Sequence, residues 1–302
     1  MAATAAPQSS AHPDTSAVAP LTSVAVIGFG TMGSGIAHAC AQAGLDVHVV
    51  EPSEAVIERD MAAITRQLDK AVEKGRIDSD VRDATIARIT PATDVSHAFG
   101  APLIIEAIPE RLTLKQELFR TLDENVAADA ILATNTSALS VTEIASATSS
   151  AHRVVGLHFF NPVPVLPLVE VVRAERTSDA ALAHAYAFVQ QIGKHPIVCR
   201  DTPGFVVNRI LLPIMSDVAG LWDQGLASAQ DIDDACRMGL NWPIGPLALC
   251  DLVGLDVAVH ASEALYESTR EPKHAPAPAM VRMVKAGKLG RKSGEGFYEY
   301  GG

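Results

Sequence analysis

The chain has 302 residues, 48% of them apolar, and a net charge of −11. That length holds about two domains around a sizeable core, the apolar share excludes a disordered chain, and the acidic balance excludes non-specific nucleic-acid binding. No apolar run approaches the roughly 20 residues of a membrane span. The four cysteines, Cys40, Cys199, Cys236 and Cys250, are scattered without a C-x-x-C or an adjacent histidine pattern. This argues against zinc or any other metal and against a disulfide framework, and fits a reducing compartment.

Residues 1–20 are rich in Ala, Ser, Thr and Pro and are expected to form a disordered tail. The first basic residue is Arg59, so the N-terminus has neither a secretory nor a transit-peptide pattern, and a cytoplasmic location is expected. A short apolar strand, Ser23–Ile27, feeds Gly28-Phe-Gly-Thr-Met-Gly33, and a helix follows over 34–43, closed by Gly44. Further strands are expected at Asp46–Val50, 103–108, 130–133 and Val154–Phe159, with helical patterns between them, and closing strands at 169–172 and 196–199. Strand, helix, strand repeated in this way reads as a parallel α/β sheet. Beyond residue 206 the spacing becomes helical with Gly and Pro punctuation, which predicts an all-α second domain after a hinge at Pro203-Gly204, with a loop over 271–278. The expected organisation is a 1–20 tail, a 21–202 dinucleotide-binding α/β domain and a 203–302 helical domain.

The glycine motif follows a strand, opens a helix and has Glu51 18 positions beyond Gly33. Gly28, Gly30 and Gly33 permit a tight turn and close approach to a pyrophosphate at the helix N-terminus, with Thr31 and Met32 inside the turn. Glu51 would take the ribose hydroxyls and repel a 2′-phosphate, so the implied cofactor is NAD rather than NADP.

Other segments leave two readings open. Ala133-Thr-Asn-Thr-Ser137 follows a strand, so Asn135 and Ser137 either bind ligand or cap the next helix. Glu110 and Lys115 either face the cofactor or form an acidic helix start with a solvated lysine. Arg59, Arg66, Lys70 and Lys74 share one side of a helix over 54–75, as a seat for phosphates or as a solvated face paired with Asp69 and Glu73. Asn208 reaches a ligand or starts a helix.

His158-Phe-Phe-Asn-Pro-Val-Pro-Val-Leu-Pro-Leu-Val-Glu170 places an imidazole and a carboxylate in an apolar, proline-stiffened run. Buried there, the two groups are costly unless they satisfy each other. Paired, they make a general base held in one tautomer.

These stretches resemble the L-3-hydroxyacyl-CoA dehydrogenase family, most closely its short stand-alone 3-hydroxybutyryl-CoA type. The resemblance runs through Gly28–Ala37, Glu106-Ala-Ile-Pro-Glu110, Asn135-Thr-Ser137, His158–Pro164, Leu168–Val171, Thr202–Arg209, Gly245-Pro246, Gly254–Asp256 and Gly294–Tyr298, in the family's order. It implies a Rossmann-type domain followed by an all-α dimerisation domain, NAD as cofactor, an acyl-CoA substrate and a homodimer, in fatty acid or butanoate metabolism. By the same resemblance His158 is the general base, Glu170 orients it, Ser137 and Asn208 hold the substrate oxygen, and Glu110 and Lys115 line the NAD site. Lys70 and Lys74 fall where relatives contact coenzyme A. Pro167 stands where relatives usually carry a lysine, and Arg111 follows Glu110 where they carry asparagine. A carrier-protein thioester, a gulonate-type substrate or a crystallin-like role remain the alternatives at this level.

Overall fold

Ser23–Ile27 forms strand β1 and Asp46–Val50 forms β2, paired in parallel from Ser23 opposite Asp46 to Ile27 opposite Val50. Between them α1 (Thr31–Gln42) starts three residues earlier than the sequence spacing suggests, because extended Gly30 serves as its cap and Gly33 fits inside its first turn. The 20-residue α2 (Glu54–Glu73) opens on Ser53, whose side chain accepts the Val56 N–H, and turns Ile64 and Leu68 inward. A shorter α3 (Ser79–Ala87) leads to β3 (Ile89–Ala92), which the sequence reading missed. Pro91 in that run argues against a strand, but β3 lies at the sheet edge, where a missing N–H is tolerated.

The structure, a computed structural model, describes residues 12–301 and divides between Asp201 and Thr202 into two compact units. In the first, β4 (Leu103–Glu106), α4 (Leu112–Asn125), β5 (Ile131–Thr134), α5 (Val141–Ala145), β6 (Val154–Phe159), β7 (Leu168–Arg173), α6 (Asp179–Gln191) and β8 (His195–Arg200) complete an eight-stranded sheet of order 3-2-1-4-5-6-7-8. Every neighbouring pair is parallel except β6–β7. The strand order reverses direction between β1 and β4, so the loops after these two strands flank the switch point where open α/β sheets bind ligands.

Strand side chains alternate between faces. Ile105, Ala133, Leu157, Phe159, Val169 and Val171 enter the main hydrophobic core. The intervening Glu106, Thr134, His158 and Glu170 therefore share the opposite face, near the ends of their strands.

The expected tail lies outside the described residues as far as residue 11. From His12 onward the chain is seated instead: the His12 ring lies 5.4 Å from that of Tyr186, and its Nδ1 is 3.0 Å from the Tyr186 hydroxyl. One aromatic contact and the Leu21–Gln191 hydrogen bonds hold a stretch whose composition alone suggests disorder.

The second unit is helical: α7 (Val207–Asp223), α8 (Ala229–Asp234), α9 (Pro246–Val253), α10 (Leu255–Thr269) and α11 (Pro278–Lys285). Met215, Ala219, Leu247, Cys250, Leu255, Ala258, Met280 and Phe297 form its core. The expected 271–278 loop contains a short 3-10 turn at Pro272–His274, and Pro278 already opens α11. Among the described residues no helix is long and apolar enough to cross a membrane.

Candidate active site

The glycine turn connects β1 to α1. Gly28 has φ +92°, and a Cβ on it would lie 2.6 Å from the Ala107 carbonyl oxygen, so the loops after β1 and β4 touch only because Gly28 has no side chain. A Cβ on Gly33 would sit 1.8 Å from the Gly28 oxygen. Around Gly30, by contrast, nothing lies within 4 Å of an added Cβ, so the approach to the α1 N-terminus is open. Unpaired N–H groups there, with no acidic residue in the first turn, suit a pyrophosphate.

Glu51, half-buried at the end of β2, accepts from the Phe29 N–H at 3.1 Å and from the Ser53 N–H at 3.2 Å. These bonds aim its carboxylate at the glycine turn. Thr31 is exposed, whereas Met32 packs partly into the core and offers the turn mainly its backbone. The turn therefore fits a dinucleotide.

The loop after β4 overturns the solvated reading of Lys115: the side chain is wholly buried, its Nζ 2.5 Å from Glu106 Oε1, 3.3 Å from Glu110 Oε2 and 3.4 Å from the Ile108 carbonyl. Glu106, also wholly buried, accepts in addition from the Ile108 N–H and the Thr134 hydroxyl, each at 2.7 Å. Glu110 is over a third exposed at 38% and reaches the β5 loop, where its Oε1 accepts from the Thr136 hydroxyl at 2.5 Å, the Ser137 N–H at 2.8 Å and the Ala138 N–H at 3.1 Å. Partial burial pushes the Glu110 carboxyl up, but Lys115 and these three donors together hold it below the usual carboxylate range.

Glu106 and Thr134 were not singled out from the sequence. A glutamate ending the otherwise apolar Leu103–Glu106 strand, with a lysine nine residues on, was the available signal. Asp201 was also missed; it accepts from the Ser140 hydroxyl and the Thr142 N–H, both at 2.7 Å, and so holds the start of α5.

His158 and Glu170 face each other directly in the antiparallel β6–β7 register, with Nδ1 2.6 Å from Oε2. An antiparallel return needs no crossover helix, and this is how two residues twelve apart come to be cross-strand partners. Glu170 is wholly buried, His158 is 5% exposed, and the imidazole lies 4.5 Å from the Phe160 ring, centroid to centroid. Asn135 is nearly buried. Its Oδ1 accepts the Phe159 N–H at 3.0 Å, which ties the β5 loop to the residue following His158. Ser137 is exposed on the same loop.

A cavity of about 760 Å³ opens between α1, α2 and residues 161–165, lined among others by Ser34, His38, Gln67, Lys70 and Arg76. Lys70 is exposed at its edge; Lys74, the C-cap of α2, is exposed but does not line it. Asp69 pairs with Arg82 at 3.2 Å rather than with this basic stripe, and among the described residues Arg66, Lys70 and Lys74 form no ion pair. Asn208 lies in the first turn of α7, on the second unit.

Two family models match in succession: the 3-hydroxyacyl-CoA dehydrogenase NAD-binding domain over residues 23–202 and the C-terminal domain of the same family over 204–300. The chain is 44% identical to a 3-hydroxybutyryl-CoA dehydrogenase of Mycobacterium tuberculosis over 279 residues, covering 92% of this chain and 98% of that one. It is 40% identical to the mitochondrial hydroxyacyl-coenzyme A dehydrogenase of Homo sapiens, covering 92% and 90%. The solved structure of (S)-3-hydroxybutyryl-CoA dehydrogenase from Ralstonia eutropha superposes with a TM-score of 0.90 at 42% identity, covering 94% of this chain and all of that one. A glycine turn shaped for a dinucleotide, a cross-strand histidine–glutamate pair on the same sheet and these matches along both units lead to one assignment: the chain belongs to the 3-hydroxyacyl-CoA dehydrogenase family of NAD-dependent oxidoreductases.

Proposed function

We propose that the chain interconverts a short-chain L-3-hydroxyacyl-CoA, 3-hydroxybutyryl-CoA foremost, and the corresponding 3-ketoacyl-CoA, with His158 and Glu170 as its acid–base dyad. The observation that carries this reading is the 2.6 Å contact between an almost buried imidazole and a fully buried carboxylate. Glu170 accepts from Nδ1–H and so fixes the tautomer, which leaves the proton transfer to Nε2. NAD, when bound at Gly28, Gly30 and Gly33 with Glu51 at its ribose, supplies the hydride acceptor. His158 removes the hydroxyl proton in oxidation and returns it in reduction, while Ser137 holds the oxygen on which charge develops. Lys70, with Lys74 further along the helix, meets the phosphates of coenzyme A.

The assembly we infer is a homodimer formed through the second unit. Ile210 and Leu221 on α7, Leu252 and Val253 on α9, and Val257 on α10 are exposed, with Met238 77% exposed. Large apolar side chains left exposed on three helices of one unit are the kind of surface that a second copy covers. Four free cysteines support a cytoplasmic location.

The test is a substrate series. NADH oxidation is followed with acetoacetyl-CoA, with longer 3-ketoacyl-CoAs and with an acetoacetyl carrier protein. The highest kcat/KM is expected for acetoacetyl-CoA; a preference for the long-chain or carrier-bound substrate would overturn the reading.

A further inference from the structure

We propose that Lys194 is a positioning residue for this dehydrogenase: from the turn between α6 and β8 it clamps the loop that joins the two strands of the dyad, and so shapes the wall of the cavity that receives the thioester. The inference rests on the reading above that Lys70, at the edge of that cavity, meets coenzyme A.

Strand β6 ends at Phe159 and β7 starts at Leu168. The residues between them lie outside the sheet ladder, so their backbone groups need other partners. One side chain holds two of their carbonyls: Lys194 Nζ donates to the Val163 oxygen at 2.5 Å and to the Leu166 oxygen at 2.8 Å. Within the loop, the Val165 and Leu166 N–H groups both donate to the Pro162 carbonyl at 3.0 Å. The neighbour of the lysine adds a further tie, from the His195 N–H to the Pro167 carbonyl at 2.7 Å.

The loop also presses on α1. Val163 is 1% exposed, and a Cβ on Gly35 would lie 3.0 Å from the Val163 Cβ. Held between Gly35 and Lys194, residues 161–165 line the cavity of about 760 Å³ together with Gln67 and Lys70 of α2.

An ammonium suits this task, because three donors on a flexible stem can reach carbonyls that point in different directions. Hydrogen bonds from a charged donor are also roughly twice as strong as neutral ones. Among the described residues no carboxylate forms an ion pair with Lys194, so its charge acts on the loop. The dyad does not need the clamp: His158 and Glu170 are set opposite each other by the β6–β7 ladder. Lys194 should therefore govern how the thioester binds and not the chemical step.

The experiment uses the full chain with Lys194→Met, which keeps the stem and removes the donors, and with Lys194→Gln as a milder variant should the first fold poorly. Each is assayed with NADH against acetoacetyl-CoA and against the N-acetylcysteamine thioester of acetoacetate, which lacks the nucleotide and most of the pantetheine arm. Hydrogen exchange of the loop amides is followed alongside, and NADH binding is titrated by fluorescence. The Val165 and Leu166 amides should exchange faster. KM for acetoacetyl-CoA should rise at least about fivefold, the scale of one lost hydrogen bond, while KM for the truncated thioester, kcat and NADH affinity change by less than about twofold. Unchanged exchange overturns the proposal, as does faster exchange with an unchanged KM. An equal rise in KM for both thioesters, or a fall in kcat, overturns it too, since a merely structural lysine would act on both substrates alike. Failure of the underlying reading shows in the unmodified enzyme: equal KM for the two thioesters would mean that this cavity does not receive coenzyme A, whereas the exchange rates still report on the clamp.

Discussion

The two units bury carboxylates to the same depth and satisfy them differently. In the first, Glu106 and Glu170 have no exposed surface and meet ionisable partners, Lys115 at 2.5 Å and His158 at 2.6 Å. In the second, Asp233 and Asp251 are 3% and 1% exposed and have no cationic partner among the described residues. Asp233 accepts from the Leu247 and Ala248 N–H groups at the start of α9 and from the Tyr298 hydroxyl. Asp251 accepts from the Phe297 and Tyr298 N–H groups and the Tyr300 hydroxyl. Backbone N–H groups cannot trade protons at ordinary pH, so such a carboxylate is a brace joining distant segments. An imidazole can trade one, so a carboxylate set against it tunes chemistry. On the proposed function, the partner, more than the burial, separates machinery from scaffold.

The largest effect expected from this contrast is on turnover. His158→Ala should lower kcat by about 10²–10⁴-fold, the usual contribution of general acid–base catalysis. Glu170→Gln should also lower it strongly while NAD affinity changes little. Because the base must start neutral in oxidation and protonated in reduction, the rate should rise with pH for hydroxyacyl oxidation and fall with pH for ketoacyl reduction. Near-native kcat in either variant, with chemistry rate-limiting, would make His158 a core histidine with a partner.

Asp233→Ala should do the reverse, leaving NADH affinity intact and weakening the second unit by about 3 kcal/mol or more, since three donors lose a charged acceptor. Both tryptophans, Trp222 and Trp242, lie in that unit, with Trp222 edge-on to Phe297 at 5.1 Å, so their fluorescence in a urea titration reports its unfolding. An unchanged midpoint would break the assignment of Asp233 as a brace.

Asp123 sharpens the rule, because it lies in the first unit and has a charged partner. Its Oδ1 lies 2.8 Å from Arg153, which is itself buried and also donates to the Ala127 carbonyl. Arginine does not release its proton, so this pair falls on the scaffold side. Burial pushes the Asp123 carboxyl up, but Ser149 and Arg153 outweigh it and hold the pKa down at about 2. A depressed carboxyl gives stability that is present above the unfolded value and lost as pH falls through the folded one. Between pH about 4 and about 2 the first unit should therefore lose about 2 kcal/mol. Asp123→Asn should flatten that part of an acid-unfolding curve and leave kcat at neutral pH unchanged.

The same contrast separates what could be read from the chain alone. The dyad was legible because two polar residues stood out in an apolar run and strand alternation turned them to one face. β1, β2 and β6 were legible because their apolar runs are bounded by clear turn residues. The burial of Lys115 was not: a lysine on an amphipathic helix can equally read as solvated, and its partner Glu106 comes from another element. Asp251 was invisible for the stronger reason that its partners lie 46 and 47 residues away, where no local spacing signals them. β3 was hidden by Pro91, whose tolerance depends on the strand's place at the sheet edge. Local pattern reveals which groups are unusual; tertiary pairing decides what they do.

The basic stripe of α2 completes the comparison from the opposite side, as cations without a carboxylate. Lys70 and Lys74 are exposed, Asp69 is engaged with Arg82, and Lys70 borders the 760 Å³ cavity. Exposed charges each contribute at most about 1 kcal/mol, so Lys70→Gln/Lys74→Gln should raise KM for acetoacetyl-CoA by several-fold and leave kcat unchanged. The Debye length is about 30 Å at 0.01 M salt and about 3 Å at 1 M, so the effect should be largest at low ionic strength and nearly gone at high. The single Lys70→Gln should carry the larger share, because Lys74 does not line the cavity. Equal contributions would place the phosphates along the open helix surface rather than at the cavity mouth. An unchanged KM at low salt would mean that this stripe is a solvated face and that the anionic substrate is held elsewhere.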